Sequence, residues 1–161
     1  MKLFLICCFL VLNLNCFSQP NFSESDAKDI IDLFFEGFHE GDTLKMSSVL
    51  MQNAKMQSTF STKDGNQKIS DGKASDFLKA IASRPEEQKW EERLLDYKVL
   101  IDGNLAQVWT PYEFWLNGNF SHCGANSFTL VNTDSGWKIL TIIDSRRHDT
   151  CNPKANKIVK E

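Results

Sequence analysis

The sequence predicts an α+β domain in which three N-terminal helices pack on a curved antiparallel sheet. Apolar residues recur at helical spacing in the N-terminal half, and from residue 90 onward they alternate with a period of two. The 161 residues are 42% hydrophobic, which is enough for one core. Because the net charge is −3 and no long basic block occurs, nucleic acid is not an expected partner.

The first 18 residues have the pattern of a signal peptide. Lys2 precedes an apolar run over residues 3–12, and a polar stretch follows at 13–18. The run is much shorter than the roughly 20 residues of a membrane-spanning helix. Cys16 would allow a lipid anchor, but residues 13–15 lack the small residue expected before it. We therefore expect a periplasmic or secreted protein without membrane association after cleavage, with a domain at 19–151 and a polar tail at 152–161.

Signal removal would leave Cys123 and Cys151 as the remaining cysteines. An exported chain meets an oxidising environment, so we expect a disulfide between them. The alternative is two free thiols, one buried at Cys123 and one near the tail.

Three helices are predicted in order along the N-terminal half. Ser23 and Asp26 form a capping-box pattern, and Gly41 ends the first helix. Asp42 or Thr43 can cap a second, shorter helix that runs through residue 50. Ser75 is the expected cap of a third helix, which stops before Pro85. The apolar face of the first helix consists of Ala27, Ile30, Ile31, Phe34, Phe35 and Phe38.

Alternating residues predict one strand before the third helix and four after it. The first covers residues 54–60 and ends at the Asp64-Gly65 turn. The later strands are expected at about 90–101, 104–116, 119–132 and 136–147. Their turn signals are Asp102-Gly103, Asn117-Gly118 and Asp134-Ser135-Gly136.

Several segments of this meander resemble the nuclear transport factor 2-like superfamily, which includes SnoaL-like and ketosteroid-isomerase-like proteins. They are Asp102-Gly103-Asn104-Leu105-Ala106, residues 108–114, residues 118–124 and Gly136-Trp137-Lys138-Ile139. More narrowly, the chain is similar to exported bacterial members of unassigned function. The resemblance implies a cone-shaped fold with a pocket between sheet and helices, and a homodimer through the sheet. It implies no single function, because this fold hosts both enzymes and binding proteins.

Strand register decides which side chains face the expected pocket. A two-residue turn at Asn117-Gly118 pairs Leu116 with Asn119, which places Glu113 opposite His122. A further turn that pairs Val131 with Trp137 puts Asp144 and Arg146 on the same face, with Arg146 opposite His122. The predicted ligand-binding residues are then Trp109, Glu113, Trp115, His122, Asn126, Asp144 and Arg146. A single bulge would reverse this assignment along half a strand and bring Tyr112 into the pocket, so Tyr112 is also a candidate.

These residues favour a non-catalytic domain that binds a hydrophobic or anionic small molecule without a metal or organic cofactor. One alternative is a cofactor-free isomerase, cyclase or hydrolase, in which His122 acts as acid or base and Glu113 or Asp144 orients it. In that hypothesis Arg146 holds an anionic substrate group. A protein-interaction module is a further alternative.

A zinc site is disfavoured, although His122, Cys123, His148 and Cys151 are all residue types that bind zinc. Consecutive strand residues point to opposite faces of a sheet, so His122 and Cys123 are poorly placed to hold one ion.

The expected homodimer has a physical reason besides the resemblance. Whichever sheet face lies outside the pocket carries many apolar side chains, and a second copy would cover them.

Overall fold

The computed structural model describes residues 22–148 and Cys151, and the expected signal peptide and most of the polar tail lie outside them. The predicted α+β class is confirmed. Within the described part of the chain, no helix combines the length and the apolar character needed to cross a membrane. The elements are α1 (Glu24–Glu40), α2 (Thr43–Val49), β1 (Leu50–Ser61), β2 (Gln67–Lys73), α3 (Ala74–Ala82), β3 (Trp90–Leu94), β4 (Lys98–Asp102), β5 (Leu105–Leu116), β6 (Asn119–Thr133) and β7 (Gly136–Arg147).

The strands form one curled sheet in the order β2-β1-β7-β6-β5-β3, and β4 also pairs with β5. All pairs are antiparallel except β1 with β7, which run parallel. The helices cover the concave face, and the core lies between that face and α1. Its fully buried members include Ile31 from α1, Phe128 and Leu130 from β6, and Ile139 from β7.

Helix α1 begins and ends as its sequence predicts. The Ser23 hydroxyl accepts a hydrogen bond from the Asp26 backbone N–H (3.2 Å), and the Asp26 carboxylate accepts one from the Ser23 N–H (2.7 Å). These two bonds satisfy N–H groups that a helix start leaves without partners. Gly41 follows the helix in the left-handed conformation with φ 77°, which only glycine adopts at little cost.

The caps of the two shorter helices differ from each other. The Asp42 carboxylate accepts hydrogen bonds from the N–H groups of Leu44 and Lys45, so it caps α2. The expectation that Ser75 caps α3 is wrong, because the helix starts at Ala74 and has no side-chain cap. Strand β2 stays paired with β1 up to Lys73, so the chain passes directly from strand to helix.

The structure contains one strand that the sequence does not predict. Strand β2 lies at the sheet edge, and all seven of its residues are exposed. An edge strand exposed on both faces lacks the apolar alternation by which a half-buried strand is recognised.

The strand expected at 90–101 is divided into β3 and β4. Both pair with β5, and the break falls opposite Pro111. Proline has no backbone N–H, so it cannot donate to a neighbouring strand. Its carbonyl still accepts a hydrogen bond from the Leu95 N–H at 2.9 Å, which keeps the connecting segment close to β5.

Candidate functional site

A cavity of about 530 Å³ lies between α1, α3 and the concave face of the sheet. Its apolar wall is largely aromatic, and the ring planes of Phe38 and Phe77 lie nearly parallel at 6.0 Å. Across the cavity, β3, β5, β6 and β7 contribute polar side chains. The apolar lining is Phe34, Phe35, Phe38, Met56, Phe77, Trp90, Phe114, Leu116 and Ile142; the polar side chains from those four strands are Glu92, Tyr112, His122, Asn126, Asp144 and Arg146.

A bulge between β5 and β6 decides which residues of β5 face the cavity. Leu116 pairs with Asn119 as expected, but the next cavity-side pair is Phe114 with His122, which leaves Ser121 as an extra residue. Beyond this point the parity of the two strands is reversed, because a bulge shifts alternation by one residue. Tyr112 and Phe114 therefore face inward beside His122.

The same bulge places Trp109, Glu113 and Trp115 on the outer face, so our expectation that they line the cavity is corrected. Glu113 pairs with Cys123, and its carboxylate accepts a hydrogen bond from the Trp115 indole N–H at 3.3 Å. The Arg93 guanidinium lies 4.1 Å from the centre of a Trp115 ring. Arg93, Glu113 and Trp115 form a cluster on the outer face of the sheet. Glu113 is therefore not available to orient His122.

Strand β7 keeps its expected face although its register differs. Val131 pairs with Lys138 instead of Trp137, and a second irregularity between Thr129 and Leu130 adds another shift of one residue. The two shifts together equal two residues, which restores the original parity. Asp144 thus lies beside Asn126 on the cavity face, and Arg146 lies opposite Gly124 rather than His122.

Gly124 allows the Tyr112 ring to lie against the sheet. A Cβ atom at this position would be 2.7 Å from Tyr112 Cε1 and 1.9 Å from the Ser145 carbonyl oxygen. The space that a side chain would fill is therefore occupied by the tyrosine ring and by the neighbouring backbone.

Tyr112, Asp144 and Arg146 form one polar group at the β5–β7 side of the cavity. The Tyr112 hydroxyl donates to Asp144 Oδ2 at 3.2 Å, and Arg146 Nε lies 3.6 Å from the same oxygen. Burial, with a contribution from the Asp144 charge, raises the pKa of Tyr112. The phenol is therefore a neutral hydrogen-bond donor across the physiological range.

Glu92 and Asn126 form a second polar group, and Glu92 is not among the site residues predicted from the sequence. Asn126 Nδ2 donates to Glu92 Oε1 at 2.6 Å. Burial raises the pKa of Glu92 to about 7, the Asp144 charge adds to this, and the Asn126 hydrogen bond opposes it. The alternation of side chains along β3 could have indicated Glu92 as a cavity residue, because it shares a strand face with the apolar residues Trp90 and Leu94.

His122 lies between aromatic rings rather than beside a carboxylate. Its ring stacks on Phe114 with centroids 4.8 Å apart, and the His148 ring is 5.5 Å away. Ser121 Oγ lies 3.1 Å from Nδ1. Burial lowers the pKa of His122 to about 4, and the charges of Arg146 and His148 act in the same direction. The imidazole is therefore neutral at pH 7.

In the structure Cys123 and Cys151 form a disulfide, with Cα atoms 5.7 Å apart. The bond lies on the outer face and ties the chain after β7 back to β6. Among the described residues, no group of three or more His, Cys, Asp or Glu side chains is arranged to hold a metal ion.

Several solved structures share this architecture. An NTF2-like protein of unknown function from Shewanella baltica has 14% identity and a TM-score of 0.55, over 79% of this chain and 98% of that one. An NTF2-like protein from Cytophaga hutchinsonii has 11% identity and a TM-score of 0.62, over 78% and 100%. An NTF2-like superfamily protein from Salmonella enterica has 14% identity and a TM-score of 0.61, over 79% and 92%. These likenesses show that the chain has the nuclear transport factor 2-like fold.

Residues 23–143 match the family described as "Putative lumazine-binding", and the chain belongs to this family. No curated protein matches the chain in sequence.

Proposed function

We propose that this protein is a non-catalytic domain that binds one small, flat aromatic molecule in the cavity between sheet and helices. The observation that carries the proposal is the cavity itself: about 530 Å³, with aromatic walls and polar side chains converging from four strands. Ligand pockets have this size and this combination of apolar walls with a few polar groups. The description of the family supports the proposal, since lumazine is a flat bicyclic heteroaromatic molecule.

The surroundings of His122 argue against its acting as the acid or base of a cofactor-free enzyme. A histidine acting as acid or base needs a pKa near the working pH and a group that orients it. His122 has a pKa well below neutrality and stacks on Phe114, while Glu113 lies on the opposite face of the sheet. The Asp144 carboxylate accepts a hydrogen bond from the Tyr112 hydroxyl instead of contacting the His122 imidazole.

Lumazine is a suitable first probe. Trp90 lies in the cavity wall, so a bound aromatic molecule should change its fluorescence, and calorimetry gives the affinity independently. A variant that fills the cavity, Ser58→Trp, should abolish binding because Ser58 lines the cavity from β1. The matched control is Lys55→Trp, at an exposed position of the same strand. If lumazine and a panel of other bicyclic aromatics all fail to bind the wild-type protein, the proposal is wrong.

We further propose that the protein is exported, to the periplasm or the medium. The basic, apolar and polar segments of residues 1–18 support this. The Cys123–Cys151 disulfide supports it as well, because such bonds persist in oxidising compartments. Mass spectrometry of the protein recovered from each cell fraction is the test. An uncleaved chain confined to the cytoplasm would refute export.

A further inference from the structure

The Glu92–Asn126 pair has hydrogen-bonding capacity that the protein itself does not use. Asn126 is only 4% exposed, and its Nδ2 is occupied by Glu92 Oε1. Among the described residues, no donor contacts Asn126 Oδ1, and none contacts Glu92 Oε2. A buried polar atom without a partner costs about 1 to 3 kcal/mol. Both residues line the cavity, so a ligand is the natural partner for these atoms.

One hydrogen bond joins the two side chains, so the free group on each belongs to the same polar pair in the cavity wall. When Glu92 is protonated, it offers an O–H donor, and the Asn126 carbonyl oxygen beside it offers an acceptor. A donor next to an acceptor is complementary to a group with an adjacent carbonyl and N–H. A ring amide, or lactam, has those two groups on one edge, held coplanar with the ring.

We propose that the pocket selects flat aromatic ligands that carry a ring lactam, with the lactam edge bound by Glu92 and Asn126. This inference rests on the proposed function and names the chemical class of its ligand. The aromatic side chains opposite the pair, including Phe38 and Phe77, would contact the faces of the ring. The polar pair then determines its orientation, since a flat apolar wall alone cannot distinguish one edge of the ring from another.

The surroundings of Glu92 favour the protonated state that this recognition needs. Burial holds its pKa at about 7, so a large share of the carboxyl is neutral near physiological pH. A second cavity of about 350 Å³ next to α1 also borders Glu92. The titratable or charged side chains that line the two cavities with it are Asp32, Glu36, His39, Asp71, Lys73, Asp76, Tyr97, Tyr112, His122, Asp144 and Arg146.

Two probes that differ by one methyl group test the proposal. 2-Quinolone is a flat bicyclic lactam, and 1-methyl-2-quinolone has the same rings and carbonyl but lacks the N–H donor. We expect calorimetry at pH 6 to show at least about tenfold weaker binding of the methylated compound, the cost of one buried, unsatisfied hydrogen bond. Binding of 2-quinolone to the wild-type protein should also weaken as the pH rises from 6 to 8, because ionised Glu92 no longer donates.

Variants of the pair separate recognition from folding. Glu92→Gln keeps a donor and an acceptor at this position but does not titrate, so its affinity for 2-quinolone should stay near the pH 6 value at every pH. Asn126→Leu should bind both quinolones with similar, weak affinity. A thermal unfolding curve for each variant establishes that it is folded.

Each outcome decides the matter. Equal affinity of the wild-type protein for the two quinolones overturns the lactam proposal while leaving small-molecule binding intact. At pH 6 the ring nitrogen of 2-aminoquinoline is largely protonated, so this compound presents donors only. If it binds more tightly than 2-quinolone at that pH, the pair acts as two acceptors, which would also overturn the lactam proposal. If neither quinolone binds and lumazine does not bind either, the proposed function fails together with the lactam inference.

Discussion

Glu92 and His122 lie on the same concave face, and burial moves their pKa values in opposite directions while favouring the neutral form of each. The folded-state pKa of Glu92 is about 7, above the usual value of 4.5. Its contribution to stability is therefore complete below pH 4.5 and is lost as pH rises through 7. The folded-state pKa of His122 is about 4, below the usual value of 6.5. Its contribution is present above pH 6.5 and is lost as pH falls through 4.

These opposing effects predict that two single variants change the pH profile of stability with opposite signs. The Glu92→Gln variant keeps only the titration of His122, whose contribution to stability is lost at low pH. Its free energy of unfolding should therefore rise between pH 4 and 6.5 by up to about 3 kcal/mol. The His122→Phe variant keeps only the titration of Glu92, so its free energy of unfolding should fall between pH 4.5 and 7 by a similar amount. The wild-type profile should be flatter than either. Urea unfolding at several pH values measures all three, and two variant profiles with slopes of the same sign would contradict the assignment.

Gly124 supports the packing of the Tyr112 ring, and Gly124→Ala should be destabilising. The added Cβ would overlap the Ser145 carbonyl and the tyrosine ring, so both strands must shift. Overpacking of this kind typically costs about 1 to 3 kcal/mol. Gly72→Ala in β2 is the control, since its Cβ would meet only the Met56 carbonyl, at 3.3 Å. Chemical denaturation that finds equal losses for the two variants would show that Tyr112 does not depend on Gly124.

At the scale of elements, turns and caps follow from local sequence, whereas bulges do not. The Asn117-Gly118 turn has positive φ at both residues and pairs Leu116 with Asn119, as the dipeptide indicates. The extra residue at Ser121 has no comparable signal. It arises where a long strand curves around the core, and it reverses the faces of β5 relative to β6.

The disulfide joins the segment after β7 to β6, and its removal should loosen that end of the sheet. Cys151→Ser should lower the free energy of unfolding by about 3 to 4 kcal/mol in the chain-entropy account, since the bridge closes a loop with a sequence separation of 28. Cys151 is the better position to change, because Cys123 is 1% exposed and a serine there would bury a hydroxyl. Urea unfolding with and without reductant is the measurement. Reductant should lower the unfolding free energy of the wild-type protein to that of the variant and leave the variant unchanged. A wild-type unfolding curve that does not change with reductant would contradict this.

At the scale of the whole molecule, the outer face of the sheet exposes apolar side chains. Trp109 is 45% exposed and Ile143 is 39% exposed, and both pair with Ser127, so they form one row across three strands. Large apolar side chains grouped in this way on a sheet are typical of surfaces that associate.

We therefore expect a homodimer in which two sheets pack back to back. Light scattering at micromolar concentration should give twice the mass of one chain. Trp109→Lys should shift the protein toward the monomer, because it would place a charge in the contact. Leu44→Lys is the matched control, since Leu44 is 82% exposed on α2, and it should leave the mass unchanged. A single-chain mass for the wild-type protein that does not change on concentration would exclude the dimer.

The sequence by itself determined the features that depend on neighbours along the chain: the α+β class, the capping box at Ser23, the left-handed Gly41, the hairpin turns and the faces of α1. Only the tertiary structure decided the composition of the cavity. Each bulge between a turn and the site changes which residues of the two strands face each other. The one extra residue at Ser121 therefore puts Tyr112 and Phe114 on the cavity face in place of Glu113 and Trp115. Two shifts on β7 add up to two residues, which kept Asp144 and Arg146 on the cavity face although their partners on β6 changed. Alternation along β3 indicates the strand face of Glu92, but its contact with Asn126, 34 positions along the chain, depends on how the sheet brings β3 and β6 together.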